Sequence, residues 1–206
     1  MLKIWGRITS INVRKAVYAA QELGLEFERI DAGGVFGVVK TPEYIALNPN
    51  SVVPTLVEGD FVLWESNVIV RYLCAKHSEG KLYPTDLQTR FNAERWMDWQ
   101  QTTFGPSGRD AFWQLIRVPE AERDMKKVEA SIASTEILLD RLEKHLATHP
   151  FIAGAAMTMA DIPLTCEVHR WYGLPIPHPS RPSIEAWYAK MLARPAAKNV
   201  LTLPLS

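Results

Sequence analysis

Apolar positions follow two rhythms along this chain, and the change between them divides it. Up to about residue 80 the runs are short. Leu2 and Ile4 alternate as a strand; after the loop Gly6-Arg7-Ile8-Thr9-Ser10, the residues Val13, Ala16, Val17, Ala20 and Leu23 share one helical face. That helix runs from about Asn12 to Leu23, with Gly24 to end it. Leu25 and Phe27 open a second strand, and a strand-helix-strand unit implies a parallel pair. A glycine-bearing loop (Gly33, Gly34, Gly37) and a helical turn before Asn48-Pro49 follow. Next come Val52, Val53, Thr55, Leu56 and Val57, a β-branched run that turns at Gly59-Asp60 into Phe61 to Leu63. Pro54 interrupts this run. Lacking an N–H for a ladder, it belongs at a strand's entry, and after Asn48-Pro49-Asn50-Ser51 it is a candidate for a cis bond that turns the Val53 N–H and C=O outward. Ile69, Tyr72, Leu73 and Lys76 resume helical spacing, with Ser66 as the expected N-cap.

The second rhythm is long. Glu79 to Asp86 contains glycine and proline with no helical period, and reads as a linker. Beyond it Ala93, Trp96, Trp99 or Gln100, and Thr103 make one helical stripe, which Phe104-Gly105-Pro106 ends or bends. Val128, Ile132, Thr135, Leu139, Leu142 and Leu146 make another, on a helix from about Pro119. In Thr158-Met159-Ala160-Asp161-Ile162, Thr158 can cap a helix by accepting from the Asp161 N–H while Asp161 reaches back, and Met157 can staple onto Ile162. Pro163 is expected to bend this helix. The proline-rich stretch Leu174 to Pro182 reads as a rigid connection, because Ile184, Trp187 and Met191 continue a helical stripe behind it. The fold class is therefore an α/β domain, residues 1–80, followed by an all-helical domain, residues 87–206.

Composition changes little in this picture but excludes several functions. With 206 residues, 47% of them hydrophobic, the chain is long enough for two modest domains. Lys+Arg and Asp+Glu are both 23, so there is no basic field of the kind that drives nucleic-acid or anionic-membrane binding. No apolar run approaches the ~20 residues of a membrane span, and the cytoplasm is the default compartment. The two cysteines, Cys74 and Cys166, are far apart and form no C-x-x-C pair; they read as small buried hydrophobes. His145 and His149 are four apart, but no acidic or thiol motif completes a set around them, so no metal site is expected.

Val53-Pro54, the hairpin and Glu65-Ser66 together resemble the glutathione-binding half of the thioredoxin-like domain of glutathione S-transferases. The Thr158 to Ile162 capping box resembles that of the helical domain in the same family, and the two marks stand in the family's order. The bacterial-type members, theta-, nu- or beta-like, whose first loop reads serine, any residue, asparagine, are the most similar. The resemblance implies a thioredoxin-like domain followed by a helical bundle, glutathione as co-substrate, and a homodimer contacting through the Ser66–Lys76 helix and the helix of Trp96. It also implies that Val53, before Pro54, pairs its backbone with the cysteinyl part of glutathione, that Glu65 and Ser66 hold the γ-glutamyl end, and that a cation or amide near the second helix, Lys40 or Asn50, meets the glycyl carboxylate. Val52 stands where many relatives carry lysine or glutamine.

The chemistry that the first loop must supply follows from the thiol. A free thiol has a pKa near ~8.5, so only a few per cent is thiolate at neutral pH. One charge-assisted hydrogen bond of roughly 1.5–3 kcal/mol lowers it by about 1 to 2 units, which a single donor can provide. Transferases place that donor between the first strand and first helix. Here the candidates are Thr9, Ser10 and Asn12, each of which can instead merely cap the helix; Ser10 is preferred and Asn12 is its competitor. Phe104, Arg109, Phe112 and Trp113, after the helix break, are candidates for walling a second-substrate pocket. The resemblance implies conjugation of glutathione to small electrophiles. Glutathione-dependent disulfide or peroxide reduction, or a non-enzymatic glutathione-binding regulatory module, are the alternatives.

Overall fold

The computed structural model describes residues 1–205. A four-stranded sheet in the order β2-β1-β3-β4 forms the first part: β1 (Leu2–Trp5) runs parallel to β2 (Phe27–Ile30) and antiparallel to β3 (Thr55–Glu58), which pairs antiparallel with β4 (Phe61–Trp64). Helix α1 (Ile11–Glu22) joins β1 to β2, α2 (Pro42–Leu47) precedes β3, and α3 (Ser66–His77) follows β4. Ile4 and Leu56 point from the sheet into a core with Val13, Val17, Ile69 and Leu73. This is the thioredoxin-like order expected from the sequence.

Local chemistry moves several boundaries. Gly24 takes φ 65°, its N–H bonding Gln21 and that of Leu25 bonding Ala20, so α1 closes in the paired pattern that needs a left-handed residue after the helix. Leu25 is thereby committed to the cap, and β2 starts at Phe27 instead. The Val53-Pro54 bond is cis. Val52 and Val53 lie outside β3: the Val52 carbonyl accepts from Tyr44 Oη (2.7 Å) and Asn48 Nδ2 (2.9 Å) rather than from a neighbouring strand. Ser66 is not the N-cap of α3 but its first residue. Glu65 caps the helix at φ 71°.

The second part is all helical. After the loop that ends at Asp86, α4 (Leu87–Trp99) passes into a π turn (Gln100–Phe104), then α5 (Gly105–Ser107), α6 (Arg109–Phe112) and a second π turn (Trp113–Arg117). Phe104-Gly105-Pro106 thus does not end this helical run: the Gly105 N–H reaches back five residues to Gln100, and the widened turn finishes just before Pro106, which has no N–H to place. The long helix α7 (Met125–Leu146) begins later than Pro119, because Asp124 caps it by accepting from the Lys126 and Lys127 N–H groups. Helix α8 (Asp161–Tyr172) starts from the expected box with different bonds. Asp161 Oδ2 accepts from the Thr158 N–H (2.8 Å), whereas the Asp161 N–H goes to the Thr158 carbonyl. Asp161 Oδ1 also accepts from the Ile152 N–H and from Trp187 Nε1 on α9 (Pro182–Leu192). Glu143 of α7 accepts from the Ser183 and Ile184 N–H groups, which ties the first turn of α9 to α7 where the proline-rich connection ends.

All residues of α1 from Val13 to Ala20 are buried. The sheet and α3 cover one side, while α8 and the chain's end cover the other; Tyr18 Oη donates to the Met191 carbonyl, and Arg14 Nη2 to that of Pro204. α1 is therefore the seam between the two parts, and its N-terminal end opens onto a cleft between them.

Candidate active site

The cleft encloses about 440 Å³ between the β1–α1 loop, the start of α3, the two π turns and α8. Ser10 occupies the N-cap position of α1 with extended backbone (φ −79°, ψ 125°), and its carbonyl accepts from the Arg14 N–H. Its side chain, however, makes no capping hydrogen bond. The Ser10 hydroxyl therefore lines the cleft uncommitted. Asn12 lines it too, its Oδ1 accepting from Ser66 Oγ at 3.3 Å.

Across from this loop, Glu65 holds φ 71° and ψ 111°, a region that non-glycine residues rarely occupy. Such an outlier persists only where surroundings over-determine it, and it turns the Glu65 carboxylate into the cleft beside Ser66 and Gln101, whose Nε2 donates to it (3.2 Å). The first turn of α3 adds unsatisfied N–H groups at the same place, a favourable setting for a carboxylate. Val53 packs beside Gly6 and Gly33, and its backbone N–H and C=O have no partner among the described residues. Tyr44, Asn48 and Thr55 bond one another and the Val52 carbonyl, so the segment is held from behind.

A buried polar chain forms the floor. Lys15, only 2% exposed, donates from Nζ to Gln100 Oε1 (2.9 Å); Gln100 Nε2 donates to Glu167 Oε2 (2.8 Å), and Glu167 pairs with Arg170. Burial pulls the Lys15 ammonium down to about 8, with the Glu167 charge opposing. The chain links α1, the first π turn and α8. Cys166 also reaches the cleft, but burial pushes its thiol up to about 12, and that of Cys74 likewise. Neither is a nucleophile at neutral pH, so a reactive sulfur here has to arrive with a ligand.

Of the residues singled out from sequence, Ser10, Asn12, Glu65, Ser66, Arg109, Phe112 and Trp113 line one cleft. Phe104 does not: it is buried and stacked on Trp99 (5.2 Å between rings), a core role set by its place inside the π turn. Asn50 lies away from the lining, bonded to Asn48 Oδ1, and Lys40 is exposed on the loop before α2. Val53 and Pro54 are not among the residues lining the cleft, although Val53 packs beside Gly6 of the first loop. Sequence reasoning missed Arg7, Arg14, Lys15, Gln100, Arg117, Glu167 and Arg170; the one available signal was Arg14-Lys15 inside an otherwise apolar helix. His145 and His149 stack on each other and bond backbone carbonyls.

The chain matches the family "Glutathione S-transferase, N-terminal domain" over residues 1–75 and "Glutathione S-transferase, C-terminal domain" over residues 104–195. It is 35% identical to glutathione S-transferase GstB of Escherichia coli (strain K12), covering 100% of both chains, and 33% identical to glutathione S-transferase 3 of Zea mays, covering 99% of this chain and 95% of that one. Among solved structures it resembles the theta class glutathione S-transferase of the citrus canker pathogen Xanthomonas axonopodis pv. citri with glutathione bound: 45% identity, TM-score 0.96, covering 100% of this chain and 99% of that one. The chain belongs to the glutathione S-transferase family. It is accordingly a transferase enzyme.

Proposed function

We propose that this protein conjugates glutathione to small electrophiles, with the Ser10 hydroxyl as the donor that stabilises the thiolate. The observation that carries the assignment is the Ser10 side chain: it stands at an N-cap yet caps nothing, and it opens on the cleft. Asn12 remains the competing donor: Ser66 Oγ donates to its Oδ1, which leaves the Nδ2 amide able to donate. In this reading Glu65 and Ser66 take the γ-glutamyl end, the Val53 backbone pairs with the cysteinyl part, and Lys40, exposed and without an ion pair among the described residues, is available to the glycyl carboxylate. Asn50 is less so, being bonded to Asn48. The sulfur attacks the electrophilic carbon, a C–S bond forms as the leaving group departs with its electron pair, and the thiol proton passes to solvent. The catalytic subclass is thus serine-type and theta-like.

Two variants test it. Ser10→Ala should raise the pKa of bound glutathione, read as thiolate absorbance against pH, by about 1 to 2 units. Because no cap bond is lost, its unfolding free energy should stay within ~0.5 kcal/mol of wild type. A pKa shift from Asn12→Ala and none from Ser10→Ala exchanges the roles. No binding of glutathione at millimolar concentration by calorimetry ends the transferase reading. Assaying both variants for conjugation and for mixed-disulfide reduction separates the two chemistries.

The reading includes a cytoplasmic homodimer, supported by apolar groups left open along α3, α4 and the hairpin: Phe61, Val68, Leu87 and Phe91, the last 65% exposed. Trp96 itself is buried. Sedimentation showing only monomer at micromolar concentration would remove the pairing.

A further inference from the structure

The charges of the cleft do not balance. Six cationic side chains line it, Arg7, Arg14, Lys15, Arg109, Arg117 and Arg170, against two carboxylates, Glu65 and Glu167. Glutathione as thiolate carries two carboxylates, one ammonium and the sulfur charge, so even the loaded cleft keeps an excess of positive charge. Part of the set is neutralised or tied: Arg170 pairs with Glu167, and Lys15 bonds Gln100. Arg14 bonds the Ile8 and Pro204 carbonyls, but it is 2% exposed, and among the described residues it has no carboxylate partner and its Nη1 is buried without an acceptor. Arg7, Arg109 and Arg117 have no ion-pair partner among the described residues.

Those three converge from different elements. Arg7 comes from the β1–α1 loop and is laid across Gly33 and Gly34, so closely that a Cβ on Gly34 would stand 3.0 Å from its Nε and 3.1 Å from its Cζ. Arg117 ends the second π turn with its guanidinium over the Phe112 ring, 5.7 Å from the centroid, and Arg170 approaches the same ring at 5.4 Å. Burial lowers the pKa of the Arg117 guanidinium, and repulsion from Arg7, which lines the same cleft, lowers it further. Trp113, on the same π turn, is 54% exposed and lines the cleft. Fixed cations beside flat apolar surface form a site for a planar anion.

We infer that the electrophile half of the cleft selects acidic aromatic electrophiles, the ring lying against Phe112 and Trp113 and the carboxylate or sulfonate meeting Arg109 and Arg117. This rests on the transferase reading and narrows its second substrate. With an aryl halide acid, the glutathione sulfur bonds the ring carbon, the carbon–halogen bond breaks, halide leaves with the electron pair, and the thiol proton goes to solvent; the acid group stays ionised throughout.

The test compares 4-chloro-3-nitrobenzoate with its methyl ester, which keeps the ring and leaving group and removes the charge. Each kcat/KM is divided by that substrate's uncatalysed rate with glutathione. The wild type should favour the acid, and the Arg109→Ala, Arg117→Ala double variant should lower the acid-to-ester ratio about tenfold or more, as for a lost charge-assisted contact. Added salt should reduce the acid's rate more than the ester's. The inference is overturned if the wild type favours the ester or if the ratio stays within about threefold in the double variant. It is also overturned if that variant weakens glutathione binding, measured by calorimetry, as much as it lowers the acid's rate, since the arginines would then serve glutathione. Conjugation of the ester and not the acid defeats this inference alone. No turnover of the acid, the ester or 1-chloro-2,4-dinitrobenzene defeats the transferase reading beneath it as well.

Discussion

Replacing Lys15 by methionine should make this protein more stable at neutral pH. Lys15 is 2% exposed, and the folded state lowers its ammonium pKa from 10.5 to about 8. At about 1.4 kcal/mol per unit, keeping that charge in the fold costs on the order of 3 kcal/mol at pH 7. The sign follows from proton binding: between about pH 8 and 10.5 the unfolded chain holds the proton and the folded chain has released it, so this group's contribution to stability rises with pH across that window and is flat on either side. Methionine keeps the apolar stem and removes the charge. It also removes the bond to Gln100 Oε1, worth ~1 kcal/mol, although Asn67 Nδ2 still donates to that oxygen at 3.2 Å. The net expectation is a gain of about 1–2 kcal/mol for Lys15→Met at pH 7. Urea unfolding of both proteins from pH 7 to pH 10.5 reads it as a difference, which cancels most of the opposing contribution of Tyr18, Tyr172 and Tyr188, whose pKa values burial raises. The wild type should close the gap as pH rises. Parallel curves, or a variant destabilised by more than ~1 kcal/mol at pH 7, would refute the reasoning.

Three further outcomes are expected. Asp161→Ala strips acceptors from the Ile152 and Thr158 N–H groups and Trp187 Nε1, all buried, and should cost at least about 3 kcal/mol by denaturant unfolding. Tyr44→Phe removes the hydroxyl that bonds the Val52 carbonyl and Thr55; it should cost about 1–2 kcal/mol of stability and weaken glutathione binding in calorimetry, because the segment carrying Val53 loses its support. Gly6→Ala places a Cβ 2.4 Å from Val13 Cγ2 at φ 147°, so it should cost about 2–4 kcal/mol, seen as a lowered Tm.

The short and long apolar rhythms determined the element types and the two-part fold, because burying one face of a strand or helix leaves its period in the local sequence. Turn and cap chemistry was partly local: Gly24 and Pro54 stand where their residue types require, whereas Ser66 falls one residue inside α3 behind Glu65 at φ 71°, and the Thr158–Asp161 box forms with other bonds than expected. Boundaries went wrong where a distant or neighbouring group claimed the backbone. Tyr44 and Asn48 took the Val52 carbonyl from the strand, and Asp124 rather than Pro119 started α7.

The site divides in the same way. Glu65 and Ser66 were singled out through the family resemblance, and Ser10 and Asn12 because a helix start is a property of a few consecutive residues. Whether a hydroxyl there spends itself on a cap is not; only the folded chain shows Ser10 uncommitted. The cations were illegible for a stronger reason. Lys15, Gln100 and Glu167 are separated by 85 and 67 positions along the contacts that join them, and Arg7 and Arg117 reach the cleft from the β1–α1 loop and the second π turn. A formal charge of zero for the whole chain gives no hint of a positive cleft, since net charge sums over sequence whereas potential depends on where the folded chain sets each charge.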